Sequence, residues 1–297
     1  MISRITQSMT ARMLLADLTS DSDRLSKTQQ KIASGREITV PSDDPFATGR
    51  ALDLRSNVEE YRQYQRNVGE AGAWQDVTDT ALREMTDLTL RARELLVQGA
   101  SDTVNQSGRN ALANEIDQIV GAIKAEANVQ YAGRYVFAGA QSTMQPYNQT
   151  TDVYAGDANQ IKREIGRGVQ VPISIAGSSV VGDGSTGLIG ALRQVASDLR
   201  TPGSTAALGG ADLKALDLAH DALVDARGVV CARTNRLEVA QGRLGQLEET
   251  TTKLLSETED ADMAKTMVDF SMQQAVYQAA LKAGAQLIQP SLLDFLR

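Results

Sequence analysis

The last third of the chain carries an almost uninterrupted helical pattern, from about Ala211 to Gln289, and this feature most constrains the fold. Apolar or small residues recur there every three or four positions, as they do on one face of a helix. The stripe consists of Leu237, Ala240, Leu244, Leu247, Thr251, Leu254, Thr258 and Ala261 and then, after a shift of phase, of Met267, Phe270, Tyr277, Leu281 and Ile288. An unbroken helix of this length would extend on the order of 115 Å. Because that length exceeds one globular core, the pattern predicts a rod or a rod-tipped protein.

The beginning of the chain carries a second helical stripe, in residues 11–32. Its members lie seven positions apart at Ala11, Leu18, Leu25 and Ile32, with Leu14 and Thr28 between them and Asp21 as an interruption. This heptad spacing is typical of a coiled-coil face.

Local signals predict where this helix ends and the next begins. Gly35, in the stretch ASGREITVPSDDP, stands where a C-cap glycine belongs. Asp44 followed by Pro45 suits the N-cap and the first position of a second helix. We therefore interpret Asp43 and Asp44 as helix-start residues rather than as a metal-binding or acid–base pair.

Two further helices precede a change of pattern. The second helix is predicted to reach about Gln98 on the stripe Trp74, Val77, Ala81, Met85, Leu88, Ala92 and Leu95, and the third carries Leu112, Ile116, Ile119, Ile123 and Ala127. The stretches GRYVFAGAQ and REIGRGVQVPISIAG then read as strands, because Val169, Val171, Ile173 and Ile175 alternate as in a half-buried strand. A short helix follows, with Leu188, Leu192, Val195 and Leu199 on one face.

These patterns predict a mainly α fold. Both chain ends build a long antiparallel helical or coiled-coil bundle, and a small β-containing domain is inserted in the middle. The predicted segments are a heptad helix for assembly and export (1–40), a helical rod (41–131), the variable β-containing domain (132–207), a second helical rod (208–255), and a C-terminal assembly helix with an apolar tail (256–297).

The charge and cysteine content exclude several classes of function. The net charge is −7 and lysines and arginines do not cluster, whereas nucleic acid and anionic membranes require a basic face. A single cysteine, Cys231, rules out an intrachain disulfide and a cysteine-based zinc site. No apolar run reaches the roughly 18–20 residues of a membrane helix, and the N-terminal sequence lacks the features of a cleaved secretory signal.

No residue pattern predicts catalysis, metal binding or a cofactor. His220 is the only histidine and lacks the partners of a metal or catalytic motif, so we interpret it as a structural residue. Cys231 has no local redox motif around it. The acidic run EETTTKLLSETEDAD lacks the spacing of a calcium loop and is interpreted as a solvated helix face.

The apolar end of the sequence, LIQPSLLDFLR, predicts burial against something else. Burial of Leu292, Leu293, Phe295 and Leu296 would contribute roughly 1.5–3 kcal/mol each, whereas chain ends are ordinarily polar and frayed. We predict subunit-interface roles for Leu14, Leu18, Leu25, Ile32, Met267, Phe270, Tyr277, Leu281, Ile288, Leu292, Leu293, Phe295 and Leu296.

Several motifs, in one order, resemble the bacterial flagellin family. They are LSKTQQKIASGREITVPSDDP and ARELLVQGASDTVNQSGRNALANEIDQI in the first half, and ARTNRLEVAQGRL and ETEDADMAKTMVDFSMQQAVYQAALKAGAQLIQPSLLDFLR in the second. The resemblance covers about residues 1–140 and 210–297. Cys231 departs from it, since the family commonly has glycine there.

The resemblance implies a structural role outside the cell, in the flagellum. It implies export through the flagellar type III apparatus without signal cleavage, a chaperone that covers the tail before assembly, and packing with copies of itself. The ending QPSLLDFLR and Pro45 after two aspartates are similar to the members that join the hook to the filament. The implied neighbours are then hook-associated protein 1 below and flagellin above, with no nucleic acid, membrane insertion or cofactor.

Three alternatives remain open from the sequence. A short or minor flagellin that forms filament is the first. An enzyme on a helical scaffold is the second, although the middle region of about fifty residues holds no histidine or cysteine. A generic coiled-coil surface or secreted effector protein is the third.

Overall fold

The computed structural model describes residues 7–288 and shows a mainly helical chain, which confirms the predicted fold class. The long helices are α1 (Gln7–Ser34), α2 (Pro45–Gly99), α3 (Gln106–Ala127), α7 (Leu213–Glu259) and α8 (Met263–Ile288). The short helices between them are α4 (Gly177–Val180), α5 (Gly187–Arg200) and α6 (Thr205–Ala207), and a π-helical turn covers Leu208–Asp212. Within residues 7–288, no helix combines the length and the apolar character that crossing a bilayer requires.

Within residues 7–288 the named strands form two small antiparallel hairpins. Strand β1 (Gln130–Tyr131) pairs with β2 (Arg134–Tyr135), and β3 (Lys162–Gly166) pairs with β4 (Val169–Pro172). The stretch REIGRGVQVPISIAG thus supplies one hairpin. Its buried alternate residues Ile173 and Ile175 lie just beyond β4.

The prediction of a strand over GRYVFAGAQ is wrong beyond Tyr135. Phe137 and Ala138 are buried outside regular strands, although Ala138 forms an isolated bridge with Ala176. Their carbonyls accept hydrogen bonds from the backbone N–H groups of Gly177 and Asp157 at 2.8 and 3.2 Å. Gly139 turns the chain away with φ of +68°, and a Cβ there would lie 2.2 Å from the carbonyl oxygen of Asp157. Apolar residues at this point are therefore buried by a turn rather than by a sheet.

The chain divides into two compact units. The central unit is Glu60–Leu247, and the terminal unit is formed by the two ends of the chain, of which the structure describes residues 7–59 and 248–288. The central unit holds one continuous apolar core, in which residues of the middle region such as Phe137, Ile173 and Leu188 lie together with Met85 and Ile116 of the long helices. Helices α2 and α7 are also joined in this unit by the ion pairs Arg93–Asp217 and Arg227–Asp79, at 2.8 and 3.1 Å.

The helical pattern of the last third of the chain is interrupted in the structure at residues 260–262. Helix α7 ends at Glu259, and the Asp262 carboxylate accepts hydrogen bonds from the backbone N–H groups of Ala264 and Lys265 at 3.0 and 3.1 Å. Asp262 therefore caps a new helix, α8. The break coincides with the shift of phase that the sequence shows after Ala261.

A buried carboxyl group, that of Asp212, lies at the start of the C-terminal helical region, next to the half-buried Asp198. Asp212, in the π-helical turn, is buried, and burial together with a hydrogen bond to the Asp198 carboxyl group of α5 raises the pKa of Asp212 to about 6. The folded state therefore holds a proton that the unfolded chain releases near pH 3.8. Protonated Asp212 therefore contributes its full stabilisation of the folded state below that pH, and this contribution is lost as the pH rises through about 6.

We expect Asp212→Asn to remove this pH dependence. At pH 7.5 the variant is expected to be more stable than the wild type by about 1–3 kcal/mol, because it no longer carries a buried charge beside Asp198. At pH 3.5, where Asp212 is protonated, the two free energies of unfolding should coincide. Urea unfolding at both pH values measures this difference. Asp221→Asn, at an exposed carboxylate, is the control, and a wild-type-like pH profile of Asp212→Asn would contradict the expectation.

Candidate assembly surface

The terminal unit has almost no apolar core. In its described residues, 7–59 and 248–288, Ala51 and Val58 are the buried hydrophobic residues, whereas the central unit buries several dozen. Apolar burial is the main favourable contribution to folding, at roughly 25 cal/mol per Å². The helices of the terminal unit therefore lack most of the stabilisation that the central unit has.

Helix α1 packs against α8 along a shallow seam. Its predicted row of Leu14, Leu18, Leu25 and Ile32 is half-buried. Two contacts fix the register: the Thr28 hydroxyl donates to Oε1 of Gln273 at 2.8 Å, and Gly284 leaves room for Leu14, because a Cβ there would lie 2.7 Å from Leu14 Cδ2.

The seam uses only one side of α8. Thr266, Phe270, Gln273, Tyr277 and Gly284 recur every three to seven positions and are the more buried residues of this helix. Two of the predicted interface residues, Phe270 and Tyr277, thus lie on the side that meets α1, within the same chain.

The other sides of α8 are apolar and exposed. We define the α8 surface as the exposed residues Met263, Met267, Val268, Met272, Val276 and Leu281. A helix that is apolar around most of its circumference is typical of a buried helix, and contiguous exposed apolar surface marks interaction sites. Helix α8 therefore presents more apolar surface than α1 can cover.

The remaining predicted interface residues have different outcomes. Met267 and Leu281 belong to the α8 surface. Ile288 ends α8, but its side chain lies outside the described part, as do Leu292, Leu293, Phe295 and Leu296. Contact of any of these residues with another subunit stays a prediction.

Sequence reasoning missed several exposed apolar residues. On α8 these are Met263, Val268, Met272 and Val276; in residues 7–59 they are Met9, Met13, Leu15, Val40, Phe46 and Leu52. Val268, Met272 and Val276 recur every four residues, a spacing visible in the sequence as a second stripe on another side of the helix. Tracing one stripe through a helix with several apolar sides led to their omission.

The connection between α1 and α2 is a capped turn. Gly35 follows the last residue of α1 with φ of +69°, and Asp44 precedes Pro45, the first residue of α2. The Asp44 carboxylate accepts a hydrogen bond from the Ala47 backbone N–H at 2.9 Å. Asp43 instead accepts from the N–H of Val40 at 3.2 Å, and this bond lowers the pKa of its carboxyl group.

A buried carboxylate ties this connection to the break between α7 and α8. Glu259 is buried and contacts the guanidinium groups of Arg36 and Arg55, the latter at 2.5 Å. Backbone hydrogen bonds from Glu37 N–H to the Glu259 carbonyl and from Ala261 N–H to the Gly35 carbonyl, at 2.7 and 3.0 Å, run beside it. These contacts hold the end of α1 next to the start of α8.

Across residues 7–288, no three metal-ligating side chains lie close enough to hold an ion. His220 Nδ1 lies 3.8 Å from the Asp221 carboxylate, and Cys231 is exposed on α7.

Sequence comparison identifies relatives along nearly the whole chain. The sequence patterns of the N-terminal and C-terminal helical regions of bacterial flagellin match residues 5–142 and 213–296. Flagellar hook-associated protein 3 of Escherichia coli is 25% identical over 94% of this chain and 95% of its own length. The flagellin of Bacillus subtilis is 26% identical over 99% of this chain and its whole length.

Solved structures share the fold. FlgL of Bacillus cereus superposes with a TM-score of 0.60 over 69% of this chain and 99% of its own, at 20% identity. The flagellar junction protein FlgL of Legionella pneumophila superposes with a TM-score of 0.59 over 71% of this chain and 99% of its own, at 14% identity. These identities are low, so the structural likeness supports the architecture alone.

Proposed function

Since this chain belongs to the bacterial flagellin family, a family of structural proteins of the flagellum, we propose that it joins the hook to the filament. The observation that carries the proposal is the contrast between the two units. The central unit has a complete apolar core, whereas the terminal unit exposes apolar helices that need a cover from outside the chain. Such an arrangement suits a subunit that is completed by its neighbours in an assembly.

The proposed neighbours follow from a position between two different structures. Copies of this chain pack through α1, α8 and the apolar tail, with hook-associated protein 1 on one side and flagellin on the other. Head-to-tail contacts of this kind build open or ring-shaped assemblies. Before assembly the type III apparatus exports the chain, and a chaperone covers the tail. The role is structural, with no reaction catalysed and no cofactor bound.

A short flagellin that forms filament itself is the second candidate. The observation that favours it is the Bacillus subtilis flagellin, which aligns with this chain from end to end at an identity similar to that of the hook-associated protein. Pro45 after the two aspartates favours the junction role instead.

Deletion of the gene in its source bacterium separates the two candidates. A junction subunit is required once, at the tip of the hook, so the deletion strain should carry hooks without filaments and release flagellin monomers into the medium. Electron microscopy and immunoblots of the medium measure both effects. A plasmid that carries the wild-type gene should restore filaments. Filaments that persist in the deletion strain, shortened or altered in shape, would refute the junction role and support the second candidate.

A further inference from the structure

The methionines of this chain are concentrated on the terminal unit. Five of the eight, Met9, Met13, Met263, Met267 and Met272, are exposed there, at 40–63% of their surface. The central unit contains two more, Met85, which is fully buried, and Met144, which is 54% exposed. Methionine is a minor component of most protein surfaces, so five exposed thioethers in the unit with the smallest core are a distinct chemical feature.

We propose that these five methionines are peroxide-sensitive modification sites whose oxidation controls whether the chain can assemble. We call these five residues together the methionine row; they form two groups, one on α1 and one on α8. The reaction is a two-electron oxidation by hydrogen peroxide. The thioether sulfur bonds to one peroxide oxygen, the O–O bond breaks, and the other oxygen leaves as water. The sulfur is oxidised to a sulfoxide and the peroxide is reduced.

The methionine row lies on the helices that we propose to pack in the assembly, so its oxidation affects assembly. Three of its members, Met263, Met267 and Met272, belong to the α8 surface, and Met9 and Met13 lie on α1. A sulfoxide is polar and chiral, so it disrupts a methionine-rich interface, and methionine sulfoxide reductases can reverse it. Oxidation of the free chain therefore blocks packing, whereas packing itself shields the row from peroxide.

Nothing else on α8 offers the same reactivity. The neighbouring members of the α8 surface, Val268, Val276 and Leu281, do not react with dilute peroxide. The exposed Cys231 lies on α7 in the central unit, away from the row in sequence, and its thiol can be removed by Cys231→Ser. The modification is therefore specific to the thioethers and can be tested in a background without cysteine.

The first experiment tests the site on the free chain. The purified Cys231→Ser chain is treated with dilute hydrogen peroxide, and peptide mass spectrometry follows the sulfoxide at each methionine. The row and Met144 are expected to oxidise together, and Met85 at least about tenfold more slowly, since susceptibility follows exposure. A row that resists peroxide as Met85 does would overturn the site.

The second experiment tests the consequence, which rests on the proposed function. A plasmid-borne copy of the gene is induced in the deletion strain at the time when peroxide is added. Every new filament then depends on chain that is made in the presence of peroxide. The wild type and Met144→Leu should lose most new filaments. The five-fold variant Met9→Leu, Met13→Leu, Met263→Leu, Met267→Leu and Met272→Leu should build as many new filaments with peroxide as it does without peroxide, because leucine matches methionine in volume and does not react. Equal loss in all three strains would overturn the proposal.

Two further arms make the outcome decisive. If the five-fold variant fails to build filaments without peroxide, Met267→Leu and Met272→Leu are tested singly, and a partial protection is expected from each. No protection from either would overturn the proposal. The uninduced deletion strain in peroxide-free medium is examined first, as a test of the proposed function alone. If this strain builds filaments, the proposed function fails, independently of any effect of peroxide.

Discussion

Met272→Asp is expected to abolish filament formation while the free chain unfolds as the wild type does. The side chain lies on the α8 surface and is exposed in the free chain, where a polar substitution changes the free energy of unfolding by less than about 0.5 kcal/mol. In the proposed assembly the same position is covered. Leaving one unpaired charge in a buried interface costs about 3–5 kcal/mol, which weakens association by more than roughly 100-fold.

The control for this variant is Met144→Asp, which places the same charge at a similarly exposed methionine of the central unit. Both variants are expected to melt within about 2 °C of the wild type by circular dichroism. In the complemented deletion strain, Met144→Asp should restore filaments and Met272→Asp should not. Filaments of normal number with Met272→Asp would contradict a covered α8 surface. A large loss of melting temperature would show instead that Met272 supports the chain's own fold.

The second large effect is expected at Lys124, in the central unit. This side chain is only 1% exposed, and its ammonium group contacts the Asp152 carboxylate. It also donates to the carbonyl oxygens of Asn148, Gln149 and Thr151 at 3.1–3.3 Å. Asp152 and Arg193 form a further ion pair at 2.9 Å. The ammonium group thus holds the segment 148–152 against α3.

Lys124→Ala is expected to lower the free energy of unfolding by about 3–5 kcal/mol, because three carbonyl oxygens lose their donor and Asp152 keeps only Arg193 as its cationic partner. For a unit of this size the melting temperature should fall by roughly 10 °C. Lys124→Met keeps most of the aliphatic stem and should be destabilised by a similar amount, which separates the lost charge from the lost packing. Lys162→Ala, at an exposed lysine of β3, should melt as the wild type does. Wild-type stability of Lys124→Ala would contradict the assignment.

The parts of the structure that depend on residues close together in the sequence could be predicted. The turn after α1 needs positive φ, which glycine adopts most readily, and the start of α2 needs a short acceptor side chain before a proline. Gly35, Asp44 and Pro45 supply these features within ten positions. The shift of phase after Ala261 likewise coincides with the break before α8.

Contacts between distant residues could not be predicted in the same way. Glu259 meets Arg36 and Arg55 across some two hundred positions of sequence, and nothing local distinguishes this glutamate from the others in its acidic run. Lys124 and Asp152 are a similar case: the lysine falls on an otherwise ordinary helix, and its burial depends on a loop that has no regular pattern.

The candidate surface could be predicted only partly from the sequence. Periodicity shows which residues of a helix are apolar, but it does not show which of them another helix covers. Phe270 and Tyr277 lie on the side of α8 that meets α1, whereas Val268 and Met272 are exposed. A single stripe could not separate these two sets. The structure separates them by showing how little of α8 the α1 helix covers.

Hydrogen–deuterium exchange of the chain, free in solution and within isolated flagella, tests the central claim most directly. Amide protection follows the free energy of local opening, which is small where few apolar contacts hold a helix. In the free chain we expect amides of α1 and α8 to exchange much faster than those of α3 and α5. In isolated flagella we expect protection of α1 and α8 to rise towards that of the central core, with little change in α3 and α5. Equal protection of α1 and α8 in both states would contradict the claim that these helices are completed by neighbouring subunits.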